Sequence, residues 1–225
     1  MQRYAVYYAP RSGAFATATA GWLGWDATTG TPRPQPDLPG IPYPAVLTAE
    51  ARRYGFHGTL RAPFRLDEGV TRQDVEQTIA RLAATLPAVT CTGLHLEPLH
   101  GFLALTPTGC EAALLELGAA VVEATNPLRA PLTEAEIARR RPESLSSRQL
   151  ALLQLWGYPH VMEEFRFHLT LTDRLPEDDL VPVQLALQSH FAPVLPSPFV
   201  VQDLCLFGQD AAGRFHLLHR YALCG

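Results

Sequence analysis

Apolar and polar side chains alternate along residues 3–8, a stretch rich in tyrosine and valine that stops at Pro10, and this alternation predicts an opening strand. Ser12 stands where it could cap a short helix running to Gly24. Over residues 26–44, Pro, Gly and Thr are too dense for a regular element, which leaves a surface loop of the length that is either functional or a plain connector. Beyond it one order of elements occurs twice. Residues 56–66 read as a strand, and residues 71–86 as an amphipathic helix with apolar Val75, Ile79, Leu82 and Leu86. Residues 89–99 and 102–106 then read as two strands around His100-Gly101. In the second half, residues 165–172 form a strand, 179–190 a helix, and 199–207 with 214–223 a hairpin turning at Ala212-Gly213.

The register of the two copies agrees, since Gly101 lies 44 positions after His57 and Gly213 lies 45 after His168. An internal duplication follows. Helical stretches at 111–124, 133–141 and 146–156 lie between the copies, the last closed by Gly157 with Pro159 beyond. The expected fold class is therefore α+β: duplicated strand-helix-hairpin units with mainly antiparallel sheets around a central cleft and helices outside. One bilobal domain spans 1–225, with a first motif lobe at about 45–125, connecting helices at about 126–160 and a second motif lobe at about 161–225.

Composition narrows the partners. A net charge of −4 and 47% hydrophobic residues describe an ordered chain without general attraction to polyanions. Extended nucleic-acid or anionic-membrane binding is not expected, whereas a small phosphorylated ligand in a locally basic pocket is. Cys91, Cys110, Cys205 and Cys224 lack zinc-knuckle spacing and disulfide-scaffold density, and read as buried reduced thiols. No basic leader or membrane-length apolar run stands out, so the cytoplasm is the expected location. The oligomeric state leaves no mark in the sequence.

The chemistry lies at the head of each copy, where both strands contain Phe-His-x-Thr-Leu: residues 56–60 and 167–171. Strand alternation puts His57 and Thr59 on one face and Phe56, Gly58 and Leu60 on the other, and does the same for His168 and Thr170. A lone His-x-Thr is often just the solvated side of a strand. Two equivalent copies related by an approximate two-fold axis would face one another across a shared cleft, and that favours a functional pair. One imidazole can take a proton from water while the other gives one to a leaving oxygen, and the threonine hydroxyls can bind non-bridging phosphate oxygens. His57, His168, Thr59 and Thr170 are the candidate catalytic residues, with no metal and no cofactor in the scheme.

Arg61 and Arg166 fall on the same predicted faces, either to balance phosphate charge or as solvated strand-end arginines. Arg140 belongs to a run at 139–141 whose more ordinary role is to serve a helix C-terminus, and Tyr54 and Tyr158 could stack on a sugar or base, although packing is the commoner fate of a tyrosine. These five complete the candidate substrate-binding set. A histidine-based zinc site is disfavoured because no His-Glu-x-x-His helix or ligand-spaced carboxylate accompanies the pair. His216 and His219, three apart, should point to opposite faces of their strand.

The paired Phe-His-x-Thr-Leu strands resemble the 2H phosphoesterase superfamily, which includes bacterial RNA 2′,3′-cyclic phosphodiesterases once called RNA ligases. The stretches RYAVYYAP, RRYGFHGTLRAPFRL, GFLAL, APLTEAEIARRRP and QLALLQLWGYPHVMEEFRFHLTLT are similar to the branch associated with bacterial phosphonate metabolism. The resemblance covers most of the chain. It implies a bilobal α+β fold, acid–base roles for His57 and His168, and phosphate binding by Thr59 and Thr170. One departure is Gly58, where that branch would carry alanine; it should point away from the cleft and leave activity in place. The implied activity is hydrolysis of a small cyclic phosphate, a phosphoribosyl cyclic phosphate of phosphonate breakdown. Two alternatives stay open: a phosphodiesterase of RNA or oligonucleotide 2′,3′-cyclic ends, and a nucleotide- or phosphate-binding protein without turnover.

Overall fold

A computed structural model describes residues 1–225, and its elements come in the predicted order, with two corrections: the 26–44 loop holds a short ladder at 31–32, and the strands expected over 89–99 and 199–207 each divide in two, their first parts pairing with one another. β1 (Tyr4–Tyr8) leads to α1 (Ala14–Leu23), a short ladder of β2 (Trp25–Asp26) with β3 (Thr31–Pro32), and one helical turn, α2 (Pro44–Leu47). The first unit is β4 (Gly58–Phe64), α3 (Arg72–Ala83), β5 (Val89–Cys91) and a hairpin of β6 (Gly93–Leu99) with β7 (Phe102–Thr108). Three helices follow: α4 (Glu111–Thr125), α5 (Glu134–Ala138) and α6 (Ser147–Trp156). The second unit is β8 (Leu169–Thr170), α7 (Glu177–Phe191), β9 (Phe199–Val201) and a hairpin of β10 (Asp203–Gln209) with β11 (Phe215–Ala222).

Local chemistry fixes several boundaries. Thr71, Thr133 and Ser146 each open a helix with a capping box, their hydroxyls accepting from the backbone N–H of Asp74, Glu136 and Gln149. Gly157 closes α6 in the left-handed conformation. α1 departs from expectation: Gly13, not Ser12, occupies its N-cap, and no side chain caps it. The second motif strand is also shorter than the predicted 165–172. The Arg166 carbonyl is turned inward to the His168 ring (2.7 Å), and the ladder begins only at Leu169.

The main sheet has seven strands in the order β11-β10-β1-β4-β8-β7-β6, antiparallel at every pairing. At its centre Gly58 pairs with Leu169, each the residue after its motif histidine, so equivalent positions of the two copies meet. Antiparallel pairing of equivalent positions is what a local two-fold axis produces. A second contact between equivalent strands, β5 with β9, repeats that relation away from the sheet. The hairpins exchange sides: β6–β7 lies beside β8, while β10–β11 lies beside β1 and so on the β4 side. α3 packs under β10 and β11, and α7 under β6 and β7. The two units read along the sequence therefore interleave in space, each motif strand and its helix standing with the other unit's hairpin.

The apolar side of both motif strands enters one core, where Phe56, Leu60, Phe167, Leu169 and Leu171 meet Val6, Val75, Ile79, Leu187 and Leu204. Each Leu or Phe buried in this way contributes about 1.5–3 kcal/mol. Cys91 and Cys110 form a disulfide with Cα atoms 5.0 Å apart, while Cys205 is free and buried and Cys224 free and exposed. The expectation of four buried reduced thiols thus fails for the first pair, which is bonded, and for Cys224, which is exposed. The cause of the bond is tertiary: the β6–β7 hairpin pairs Gly93 with Thr108 and returns the chain so that Cys110 comes opposite Cys91. No helix is long and apolar enough to cross a membrane.

Candidate active site

β4 and β8 are central neighbours, so whatever they expose on one face is held together by the middle of the sheet. Burial alternates as the sequence requires: Phe56, Gly58 and Leu60 are buried and His57 and Thr59 partly open, and Phe167, Leu169 and Leu171 are buried with His168 and Thr170 partly open. Continuing the Gly58–Leu169 register sets His57 across from Thr170 and Thr59 across from His168. All four line one cavity of about 310 Å³.

The rings are anchored alike. His57 Nδ1 donates to the carbonyl of Gly55 (2.8 Å) and His168 Nδ1 to that of Arg166 (2.7 Å), in each case two residues upstream. A carbonyl only accepts, so each Nδ1 carries the proton and each neutral ring keeps Nε2 as its free base. Gly55 is needed for this: its φ is +70°, and a Cβ there would lie 2.7 Å from Cβ of Ala27. Tyr7, cross-strand from Thr59, lies against His57 with ring centroids 4.0 Å apart, and Tyr54 stacks on the same ring at 5.7 Å.

Burial pushes the His57 pKa from 6.5 down to about 4, opposed by its bond to Gly55 and aided by His168. His168 is also lowered by burial, against its bond to Arg166 and with a further push from His100. Both imidazoles are therefore held neutral in the free protein at neutral pH, His57 the more firmly. Burial likewise carries the Tyr7 hydroxyl well above its ordinary value, and Arg3 and Arg140 pull it back.

Of the five candidate substrate-binding residues, Tyr54, Tyr158 and Arg140 line the cavity, with the Arg140 guanidinium 4.8 Å over the Tyr158 ring. Arg61 and Arg166 do not. The β1–β4 ladder bulges between the Tyr7–Thr59 and Val6–Arg61 pairs, and the extra residue changes the parity of the strand. Ala62 faces the cavity instead, and Arg61 is 1% exposed. Its Nη1 donates to the Trp156 carbonyl (2.9 Å), its Nε is buried without a partner, and burial lowers its pKa to about 9. Arg166 precedes the strand and donates to the carbonyls of Glu163 and Phe165.

Four charged or polar lining residues lie outside the predicted set: Arg3, Tyr7, Glu50 and Asp173. The first two carried a signal, because Arg3 and Tyr7 share the parity of one face of β1. Glu50 and Asp173 carried none. Asp173 accepts from the backbone N–H of Glu50 (2.8 Å) and Ala51 (2.9 Å), a link between segments far apart in sequence. No three His, Cys, Asp or Glu side chains converge to hold a metal ion.

Residues 59–216 match the model of a family described as "Protein of unknown function (DUF1045)". Two relatives, both called ribose 1,5-bisphosphate phosphokinase PhnN, are 40% identical over 220 residues (Janthinobacterium sp. strain Marseille) and 38% identical over 221 (Laribacter hongkongensis strain HLHK9). These alignments cover 95% and 97% of this chain but 49% and 51% of the relatives, so the chain spans about half of their length. Among solved structures, a phosphoesterase gives a TM-score of 0.47 at 19% identity, with 100% of this chain and 99% of that one covered. TT0787 of Thermus thermophilus gives 0.48 at 15% (99% and 98% covered), and E. coli LigT complexed with 3′-AMP gives 0.45 at 17% (100% and 99% covered).

Proposed function

Because this chain belongs to the DUF1045 family, we propose its activity from the residues of the site: hydrolysis of a small cyclic phosphodiester by the histidine pair, in the manner of the 2H phosphoesterases. The observation that carries this reading is the matched anchoring of His57 and His168, each with Nδ1 spent on a carbonyl and Nε2 left to one cavity shared with Thr59 and Thr170.

Neutral His57, the harder of the two to protonate, takes a proton from water as the water oxygen bonds to phosphorus. Protonated His168 gives its Nε2 proton to the ring oxygen of the ester as that P–O bond breaks. One water is consumed, a phosphomonoester and a free hydroxyl result, and the two rings exchange protonation states until solvent resets them. Thr59 and Thr170 donate hydrogen bonds to the non-bridging oxygens, whose charge grows in the transition state. The scheme requires no metal, so turnover should survive excess chelator; loss of turnover would overturn that part of the reading.

The substrate class is a cyclic phosphate on a phosphoribosyl unit. The named relatives support it: opening such a ring on ribose 5-phosphate gives a ribose bisphosphate, the class of compound in their name. The kinase step itself belongs, in this reading, to the half of those proteins outside the match. All 18 basic residues of this chain are arginine, and a P-loop needs a lysine. The test is hydrolysis of cyclic ribose phosphates beside a short RNA with a 2′,3′-cyclic end. Turnover of the sugar phosphate is expected; exclusive turnover of the RNA would replace this substrate with that one, and binding without cleavage of either would leave only an anion-binding protein.

A further inference from the structure

One phosphodiester carries one negative charge, and the histidine and threonine pairs already attend to it. The cavity holds more cationic capacity than that. Four other charged side chains line it, namely Arg3, Arg140, Glu50 and Asp173. The acids are engaged: Glu50 pairs with Arg53 at 3.0 Å, and Asp173 accepts from two backbone N–H groups. Neither arginine takes part in any of the molecule's ion pairs.

Both arginines are nevertheless held in position. Arg3 donates from Nε to Gln209 Oε1 (2.7 Å), which fixes the guanidinium plane and leaves both Nη groups, and it lies 5.9 Å from the Phe215 ring centroid. Arg140 rests on Tyr158. Aromatic support positions a guanidinium without consuming its fork of donors, whereas a carboxylate would occupy that fork. Arg3 and Arg140 lie 137 positions apart in the sequence, yet both line the cavity with Tyr7 and both pull its hydroxyl back toward the ordinary value. Two cations and two carboxylates balance on the lining, but the carboxylates are engaged while the two guanidinium forks are without an ionic partner, and these are the donors left for a second anion.

We propose that Arg3 and Arg140 form a second anion subsite beside the histidine pair, so that the preferred substrate is a small sugar carrying a phosphomonoester in addition to the cyclic diester. This deepens the hydrolase reading above and rests on it. Charge-assisted hydrogen bonds from guanidinium to phosphate have the strength to change affinity by about tenfold or more per arginine.

The test uses two ribose cyclic phosphates that differ only in a 5-phosphate, and reads the ratio of their kcat/KM values. Wild-type protein should favour the phosphorylated one by about a hundredfold, as two arginines together predict. Arg3→Gln and Arg140→Gln should each cut that ratio by about tenfold, chiefly through KM for the phosphorylated substrate. Equal use of both substrates by wild type, or a ratio unmoved in both variants, would overturn the subsite while leaving the hydrolase standing. Should neither compound be cleaved, the hydrolase reading fails, and calorimetry with ribose 5-phosphate against ribose decides the subsite separately. Binding of the phosphate alone, weakened in both variants, would support it; no difference between the two sugars would end it.

Discussion

At the scale of single residues, the proposed site turns on two imidazoles whose pKa values burial depresses. His57→Ala and His168→Ala should each lower kcat by on the order of 10²–10⁴, because each proton transfer loses its only donor or acceptor. Thr59→Ala and Thr170→Ala remove one hydrogen bond apiece and should cost less; equal tolerance of all four substitutions would contradict the assignment. The profile of kcat/KM reports the free protein and should be a bell lying on the acid side of 6.5. Its rising limb lies near 4, where His57 loses its proton, and its falling limb below 6.5, where His168 does. A bound phosphate anion stabilises imidazolium, so the kcat profile should sit at higher pH than that of kcat/KM. The same shifts act on stability. A histidine held neutral in the fold binds fewer protons than in the unfolded chain, so stability is full above 6.5 and falls as pH drops toward about 4. Thermal melts of His57→Gln across that window should slope less than those of the wild type.

At the scale of elements, the duplicated Phe-His-x-Thr-Leu motif singles out His57, Thr59, His168 and Thr170 as candidates, and alternation says which neighbours turn inward. The same rule misplaced Arg61, since a bulge changes strand parity through its partner β1 and nothing in residues 58–64 announces it. It overextended β8 because the Arg166 carbonyl serves the His168 ring instead of a ladder. Gly58 is the β4 residue that pairs with β8, and a Cβ there would overlap Cζ of the Phe167 ring. The glycine that looked like a neutral departure is thus a packing requirement. Gly58→Ala should destabilise the protein by about 1–3 kcal/mol as the Phe167 ring is forced aside, measured by denaturant unfolding. An unchanged midpoint would mean that the ring moves freely. The disulfide gives another check at this scale. Thiol titration of the oxidised protein should find one reactive cysteine when folded, Cys224, and two when unfolded, Cys205 being released; four would show Cys91 and Cys110 apart.

At the scale of the whole molecule, the duplication legible in the spacing of motif and hairpin becomes a two-fold relation centred on Gly58 and Leu169. What the sequence did not reveal is the exchange of hairpins, since the choice between β7 and β11 as a neighbour of β8 is a long-range one that local pattern cannot make. The pairing of β1 with β4 matters for the site, because it brings Tyr7, and Arg3 just before the strand, to the cavity alongside both motifs. The claim on which the rest depends is that both halves address one anion. It is tested most directly by titrating ¹⁵N-histidine-labelled protein with inorganic phosphate and following each imidazole by nuclear magnetic resonance. The Nε2 signals of His57 and His168 should move together, with one dissociation constant and one phosphate per chain. Movement of only one ring, or two rings following different binding curves, would contradict a shared site.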